Sequence, residues 1–409
     1  MNQRILLPVK VLVAIVYVIS LSCAGYLVGS NLSQKAMGKS IAKQEKSYSA
    51  KDISTKLQRL LDEAVSDQNI PGAVMYISTP KGKWVKTSGI SNVENKTRIK
   101  PTDGFSIASM SKTFVSVVVL KLAEAGKINL DEAIATYLPT KVSPHIVNSD
   151  KITVRQLLNH TSGVVEYDTT EEFKEATAKR SRSQPWTAGE AVEYMYDAQP
   201  QADPGERFIY TDSNYILLEL IVENITKGTL AQATRNLVLK PLGLKNTFTE
   251  LREPSLGNVA TGYGDRNKDG KVVSYAEVND GNGLGDGALV SNAEDLAKFA
   301  QALFAKKTLL SAKMTKEMLT FKRNNVSYSY GLGVERLPTP YGNSYGHTGT
   351  AYGFVTLMAY LPSKQTTIVL LLNNQDSDAK KLANKAIGIV NTMNPNEKLN
   401  PHEKLKRKN

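Results

Sequence analysis

The sequence predicts an α+β fold, in which an antiparallel sheet built from the N- and C-terminal segments is flanked by helices and carries an inserted, mostly helical lobe. Two observations support this prediction. Short apolar runs separated by turn residues, a pattern typical of strands, lie near both ends of the chain, at residues 72–88 and 353–373. Between them, from residue 109 to about 230, the apolar residues follow a mostly helical pattern. Strands at both ends with helices between them favour one sheet made from both termini.

The chain begins with an apolar stretch. Residues 11–28 carry no charge, and Arg4 and Lys10 precede them. A helix of this length, at about 1.5 Å of rise per residue, nearly matches a bilayer core of roughly 30 Å. Positive residues before such a span favour a cytoplasmic N-terminus. We therefore predict that residues 1–29 form a single-pass anchor in the cell membrane, with the rest of the chain outside the cell. A cleaved signal peptide, which would give a secreted protein, is the alternative because small residues flank Cys23.

The net charge is +12, from 51 Lys and Arg against 39 Asp and Glu. Part of this excess lies in a predicted polar linker, residues 30–52, and in a predicted basic tail, residues 395–409, and both are expected to be solvated. No zinc-finger, helix-turn-helix or RNA-binding signature accompanies the charge, so nucleic acid is not an expected partner. Cys23 is the only cysteine, which excludes an intrachain disulfide and a cysteine-based metal site.

The folded domain is predicted to span residues 53–394, with the helical lobe at about 109–285. It would open with an amphipathic helix at residues 53–65 and a hairpin of two strands, 72–78 and 83–88. Within the lobe, residues 114–122 are apolar nearly all round, which is typical of a helix in the protein interior.

The end of the domain is predicted to return to the sheet. Apolar runs at residues 353–361 and 366–373 are separated by a turn at residues 362–365, a pattern that indicates a central hairpin. Residues 379–393 then indicate a closing helix.

A serine and a lysine three residues apart lie on one face of a helix, where the lysine can assist the hydroxyl. Burial of the amine would lower its pKa and let it accept the serine proton. The sequence contains this Ser-x-x-Lys pattern four times: Ser40/Lys43, Ser78/Lys81, Ser109/Lys112 and Ser377/Lys380. Only Ser109 leads into an apolar helix, which would bury Lys112. The alternative for that site is a serine-rich helix cap with a lysine that reaches solvent.

Several segments around this pair resemble the serine DD-peptidase and class C β-lactamase superfamily. Residues 105–112, which read FSIASMSK, are similar to the family's nucleophile segment. Residues 152–163, ITVRQLLNHTSG, and residues 287–291, GALVS, are similar to further family segments and follow in the family's order. The resemblance covers residues 53–374. It implies a β-lactamase/DD-peptidase-like fold with Ser109 as the nucleophile and Lys112 beside it.

The family's second motif, Tyr-x-Asn, corresponds to Tyr210-Thr211-Asp212. An ionised carboxylate only accepts hydrogen bonds, so Asp212 cannot donate to a substrate carbonyl as an asparagine amide does. Close to Lys112, its charge would favour the protonated amine. We therefore hypothesise that Tyr210 accepts the proton of Ser109 and that Asp212 contributes to substrate binding.

The third motif, Lys-Thr-Gly in many β-lactamases, corresponds to His347-Thr348-Gly349. A lysine supplies a permanent charge for a substrate carboxylate, whereas histidine is mostly uncharged near neutral pH. By resemblance, His347, Thr348, Gly349 and Thr350 line the substrate site. The backbone N–H groups of Ser109 and Thr350 would form the oxyanion hole.

The remaining motifs of the sequence do not predict a metal site or a further catalytic site. Residues 265–270 resemble the start of a calcium loop, but Ala276 stands at the position of the bidentate acid, so a hairpin turn is the better interpretation. His160 is interpreted as a structural residue at a helix end. No metal and no cofactor is predicted, and the absence of a Gly-x-Ser-x-Gly elbow disfavours an α/β-hydrolase.

Together these features predict an extracytoplasmic serine hydrolase that forms an acyl-enzyme on Ser109. A D-alanyl-D-alanine carboxypeptidase, a penicillin-binding protein acting on peptidoglycan stem peptides with β-lactams as covalent inhibitors, is the first expectation. An esterase or D-aminopeptidase on D-amino-acid or acyl esters, or a β-lactamase, is the alternative within enzymes. A catalytically silent penicillin-binding or sensor module is the alternative of another class.

Overall fold

The computed structural model describes five stretches of the chain: residues 47–67, 70–278, 283–323, 329–351 and 353–394. The predicted anchor or signal, the predicted tail and all but the last part of the predicted linker lie outside these residues, as does the pair Ser40/Lys43. Among the helices of the described stretches, none combines the length and the apolar character needed to cross a bilayer.

The described residues form fourteen strands, named β1 to β14 in chain order. Their bounds are β1 Gly72–Thr79, β2 Gly82–Asn92, β3 Thr97–Arg98, β4 Phe105–Ser106, β5 Phe248–Thr249, β6 Tyr263–Gly264, β7 Val273–Ser274, β8 Leu289–Ser291, β9 Lys322–Arg323, β10 Ser329–Tyr330, β11 Glu335–Thr339, β12 Gly342–Ala351, β13 Phe354–Leu361 and β14 Thr366–Leu372. Nine of them make one antiparallel sheet in the order β3-β2-β1-β14-β13-β12-β11-β10-β9. Because β1 pairs with β14, the prediction of a sheet built from both termini is confirmed.

The described residues also form eleven α-helices, named α1 to α11. Their bounds are α1 Ala50–Asp67, α2 Ser111–Glu124, α3 Val154–Leu158, α4 Glu171–Lys179, α5 Ala188–Glu193, α6 Ser213–Thr226, α7 Leu230–Thr234, α8 Lys240–Leu242, α9 Ala293–Ala300, α10 Ala312–Met318 and α11 Ala379–Asn391. Seven of them, α2 to α8, lie in the predicted lobe, whereas α1 and α11 are the predicted opening and closing helices. The predicted turn at residues 265–270 joins β6 to β7, which pair as a hairpin.

Alternation along the central strands sorts their side chains onto two faces of the sheet. In β14, Val369 and Leu371 pack in a core shared with the helical lobe, whereas Ile368 and Leu370 pack in a second core with α1 and α11. The strands are therefore apolar on both sides, which explains why they read as continuous apolar runs in the sequence.

Helix α2 passes through the core on the lobe side of the sheet. Phe114 stacks on Phe299 of α9 with ring centroids 3.7 Å apart, and the residues from Val115 to Leu120 are all buried. The predicted burial of this helix is confirmed. Because Lys112 lies on its first turn, the fold carries that side chain into the interior as well.

Candidate active site

Ser109 lies in a tight turn between β4 and α2. The turn is a single 3-10 turn, Ala108–Met110, held to β8 by a hydrogen bond from Ile107 N to Leu289 O at 2.9 Å. Ala108 has a φ of +48°, a left-handed conformation that alanine rarely adopts and that is typical of strained functional sites. The turn therefore fixes the direction in which the Ser109 hydroxyl leaves the helix.

Strand β12 passes directly beside this turn, at Gly349. A Cβ atom on Gly349 would lie 2.3 Å from the carbonyl oxygen of Ile107 and 3.2 Å from the Cβ of Ala108. Only a glycine allows this approach, so Gly349 brings the strand that carries His347 against the serine turn.

Lys112 is fully buried, and its ammonium has three close partners. Nζ lies 3.0 Å from Ser109 Oγ, 2.7 Å from the carbonyl oxygen of Asp286 and 2.6 Å from Asp212 Oδ1. Burial by itself lowers the pKa of Lys112, but the charges of Asp212 and Asp286 and the hydrogen bond to Asp212 outweigh it. The pKa therefore lies above that of a free lysine. The role of Lys112 as a proton acceptor therefore stays a prediction, and in the resting state the neighbouring acids favour the protonated amine.

Asp212 directly precedes α6 and is fixed there by its backbone. Its N–H donates to Glu166 Oε2 at 2.7 Å, and Ser213 donates to Glu166 Oε1 from both N and Oγ at 3.1 Å. The carboxylate of Asp212 is thereby turned toward Lys112. A substrate-binding role for Asp212 stays a prediction, because in this structure its Oδ1 is engaged by Lys112.

Tyr210 brings a phenol to the nucleophile. Its ring stacks on His160 with centroids 4.2 Å apart, and the ring centroid lies 5.3 Å from Lys112 Nζ. Desolvation and the charge of Asp212 raise the pKa of Tyr210 well above its ordinary value, while the hydrogen bond with Ser109 acts in the opposite direction. Tyr210 is therefore a neutral phenol at neutral pH, and 36% of its surface is exposed.

His160 follows α3 in the left-handed region, at φ +57°, and is fully buried. Its Nδ1 lies 3.0 Å from Asn214 Nδ2, and Thr211 N donates to the same atom at 3.3 Å. Since burial lowers the pKa of His160 well below its usual value, the ring is neutral. The predicted place of His160 at a helix end is confirmed, and there it supports the ring of Tyr210.

The predicted residues of β12 are engaged with neighbouring strands. His347 is buried, and its Nε2 lies 2.8 Å from the hydroxyl of Tyr330, while burial lowers its pKa, so the ring is neutral. Thr348 donates from both N and Oγ1 to Glu335 Oε2 at 3.0 Å. Thr350 is exposed. Among the described residues of β12, none therefore brings a charged ammonium or guanidinium to the third motif.

Two acids of the site were missed by the sequence reasoning. Desolvation and the charge of Asp212 raise the pKa of Glu166 to about 7 and that of Asp286 to about 8. Tyr167 donates to Asp286 Oδ2 at 3.2 Å. Glu166 follows the ITVRQLLNHTSG segment and Asp286 precedes the GALVS segment, so their only signal was proximity to segments that resemble the family.

The site thus joins a serine, a buried lysine and a phenol at the junction of a helical lobe and an antiparallel sheet. This is the arrangement of serine acyltransferases and hydrolases of the Ser-x-x-Lys type. The sequence matches the β-lactamase family model over residues 57–391, and the chain belongs to that family.

Relatives agree with this assignment. The chain is 28% identical to the putative penicillin-binding protein PbpX of Bacillus subtilis, over 88% of this chain and 85% of PbpX. It is 27% identical to protein flp of Staphylococcus aureus over 81% of this chain, but that match spans only 65% of the flp protein.

Solved structures share the fold. A D-stereospecific amidohydrolase from Streptomyces superposes with a TM-score of 0.70 at 27% identity, covering 81% of this chain and 97% of the other. A D-amino acid amidase from Ochrobactrum anthropi superposes with a TM-score of 0.72 at 22% identity, covering 83% and 99%. The predicted β-lactamase/DD-peptidase-like fold is confirmed.

Proposed function

We propose that this chain hydrolyses amide or ester bonds through an acyl-enzyme on Ser109. The observation that carries the proposal is the position of Ser109 Oγ, 3.0 Å from Lys112 Nζ and beside the phenol of Tyr210, whose pKa the Ser109 side chain lowers by hydrogen bonding. Because the protonated lysine donates to Oγ, the proton of Ser109 is directed to Tyr210. Oγ attacks the carbonyl carbon, and the N–H groups of Ser109 and Thr350 hold the oxyanion that forms.

Tyr210 serves in this mechanism as a neutral proton relay. Its raised pKa makes a free phenolate costly, so the phenol takes the proton of Ser109 while it gives its own proton to the leaving nitrogen or oxygen. The acyl-enzyme and the free amine or alcohol are then formed without a change in the net charge of the site. Water attacks the acyl-enzyme by the reverse proton transfer and releases the acid.

The charges around Lys112 favour a substrate without a free carboxylate near the scissile bond. The ammonium is already paired with Asp212 and the ring of His347 is neutral, so neither group offers a free cation to a substrate carboxylate. A D-alanyl-D-alanine peptide would place its terminal carboxylate against these groups. A D-amino-acid amide or ester, with a protonated amine, fits the same charges, and the amidohydrolase and amidase of similar fold support this choice.

A D-alanyl-D-alanine carboxypeptidase is the second candidate. It is favoured by the similarity to PbpX along most of both chains.

We also propose that the chain acts outside the cell and is held in the membrane by residues 1–29. The basic residues before the apolar run favour an N-terminus in the cytoplasm and export of the rest of the chain.

Matched substrates separate the two candidates. We expect D-alanine p-nitroanilide to be hydrolysed with a kcat/KM at least tenfold above that of N-acetyl-D-alanyl-D-alanine, and the L-enantiomer to be poor. His347→Lys, which adds a cation on β12, is expected to narrow that difference. Faster release of D-alanine from the acetylated dipeptide would instead establish the carboxypeptidase.

Labelling with a fluorescent penicillin or a fluorophosphonate tests whether the chain is an enzyme at all. Labelling of the folded protein is expected, and Ser109→Ala is expected to abolish it. No labelling by either probe, together with no turnover of D-alanine p-nitroanilide or N-acetyl-D-alanyl-D-alanine, would favour the silent binding module.

A further inference from the structure

We infer that a second cavity, on the far side of the segment that carries Asp286, is a binding site for a small protonated amine. The cavity has a volume of about 190 Å³ and lies between α2, α6, α7 and residues 283–289. Eight of its lining residues are polar or charged: Ser111, Thr187, Glu219, Glu223, Thr229, Thr234, Thr249 and Arg252. Neither Ser109 nor Tyr210 lines it, so it is separate from the candidate active site.

Glu219 is the central group of this cavity. It lies in the middle of α6, is only 3% exposed, and accepts one hydrogen bond, from Gly285 N to Oε2 at 2.7 Å. No other described residue donates to its second oxygen. Burial raises the pKa of Glu219 to about 8, because the charged form is poorly solvated there. A carboxyl group kept in the interior without a cationic side chain bonded to it has room for a ligand that supplies the missing donor.

Thr249 is a second, independent sign of a ligand. It is 5% exposed and lines the same cavity, yet its Oγ1 has no hydrogen-bond partner within the part of the chain that the structure describes. Buried hydroxyl groups are nearly always paired, so an orphan facing an open volume indicates a missing ligand or solvent molecule.

The lining selects the charge and the size of that ligand. Glu223, one turn after Glu219, adds a second carboxylate, whereas Arg252 is the one cationic side chain among the lining residues. The guanidinium of Arg252 is already bonded to the carbonyl groups of Trp186 and Gly283. Two acids against one occupied cation favour a cationic guest. Since a cavity of about 150 Å³ holds a benzene ring, this one takes an amine of up to roughly eight heavy atoms.

The cavity is linked to the candidate active site through two consecutive residues. Gly285 donates to Glu219 on the cavity side, and the carbonyl oxygen of the next residue, Asp286, accepts from Lys112 at 2.7 Å. An amine that draws Glu219 into the cavity therefore shifts the segment that holds Lys112. This regulatory link rests on the proposed hydrolase function, whereas the binding itself does not.

Calorimetric titration at pH 8.5 with n-butylammonium tests the site, with n-butanol as the neutral probe of equal size. The charged groups that surround Glu219 are Glu223, Arg252 and Asp286. We expect the wild-type protein to bind butylammonium and not butanol, and Glu219→Gln to weaken the amine at least tenfold. Thr249→Val, which removes the orphan hydroxyl without a change of shape, is expected to weaken it by a smaller factor.

Glu166→Gln is the matched control, because it neutralises a carboxyl group of the candidate active site in the same way. It is expected to leave butylammonium binding unchanged. Equal loss in Glu166→Gln and Glu219→Gln, or no binding by the wild type, would overturn the inference and leave the cavity as a pocket for water. Binding that persists in a chain without hydrolase activity would retain the site and refute only the proposed function.

Discussion

Two regions of this molecule carry the same Ser-x-x-Lys pattern, but the serine and the lysine contact each other in only one of them. At the first turn of α2, Lys112 Nζ lies 3.0 Å from Ser109 Oγ and is fully buried. At the end of β1, Ser78 accepts from Gln301, while Lys81 reaches the carbonyl oxygen of Met393 and is partly exposed. A spacing of three places two side chains on one face of a helix, whereas Ser78 lies in a strand and Lys81 in the turn that follows it, where the two side chains have different partners. The Ser-x-x-Lys pattern therefore brings the amine to the hydroxyl only where the backbone is helical.

The environment of the amine adds a second difference. Lys112 is paired with Asp212 and lies near Asp286, both contributed by distant parts of the chain. Lys81 has no acid within salt-bridge distance among the described residues. Helical geometry brings the hydroxyl and the amine together, and the neighbouring acids then favour the protonated form of the amine.

The nucleophile gives the largest expected difference between the two regions. Ser109→Ala is expected to lower kcat by at least about 10³-fold and to abolish covalent labelling, because no other group on the turn can form the acyl-enzyme. Ser78→Ala, the matched control, is expected to retain kcat within about twofold. Steady-state kinetics and fluorescent penicillin labelling measure both. A large loss in Ser78→Ala, with Ser109→Ala active, would reverse the comparison.

The lysines are the next test. Lys112→Met is expected to lower kcat by about 10³-fold and to destabilise the protein by about 3 kcal/mol, since it leaves the Asp212 carboxylate without its buried partner. The double variant Lys112→Met with Asp212→Asn is expected to recover much of the stability and none of the activity. Lys81→Met should change neither quantity appreciably. Denaturant unfolding and kinetics of the four proteins provide the measurement.

Much of the architecture was predictable because local patterns determine it. The continuous apolar runs of β13 and β14, separated by a turn, predicted the central hairpin, and the apolar run of α2 predicted a buried helix. The convergence of Ser109, Lys112 and Tyr210 was accessible only through resemblance to a family, since Tyr210 lies about a hundred residues away in sequence.

The charge state of the site was not predictable in the same way. Burial of Lys112 alone predicts a lowered pKa, whereas Asp212 and Asp286, which approach the amine in three dimensions, favour its charged form. Glu166 carries no motif, and only the fold shows that it accepts hydrogen bonds from Asp212 and Ser213. Electrostatic balance depends on distances between segments that no local pattern encodes.

The phenol sharpens the difference between the two regions, because only the Ser109 hydroxyl has such a partner. Tyr210→Phe is expected to lower the acylation rate by about 10²- to 10⁴-fold, with a smaller change in substrate affinity, since it removes the proton relay and keeps the ring on His160. Pre-steady-state kinetics with a chromogenic ester separates acylation from binding. Acylation at the wild-type rate would show that the Lys112–Asp212 pair carries the proton instead.

The smallest expected effect concerns pH and the acids around Lys112. The folded state raises the pKa of Glu166 from 4.5 to about 7, so the unfolded chain releases this proton first as the pH rises. Stability is therefore unaffected below about pH 4.5 and falls between about pH 4.5 and 7. Glu166→Gln is expected to remove up to about 3 kcal/mol of that fall, measured as the difference in unfolding free energy between pH 5 and 8.

Glu294, beside Lys83 in the region of the other serine, provides the control of opposite sign. Its hydrogen bond with Lys83 lowers its pKa, so its contribution is present above about pH 4.5 and is lost only as the pH falls further. The carboxylate is largely exposed, and Glu294→Gln is expected to change stability by less than about 0.5 kcal/mol at either pH. If Glu166→Gln and Glu294→Gln gave the same pH profile of stability, the acids around Lys112 would not differ physically from a surface pair, and the contrast between the two regions would reduce to backbone geometry alone.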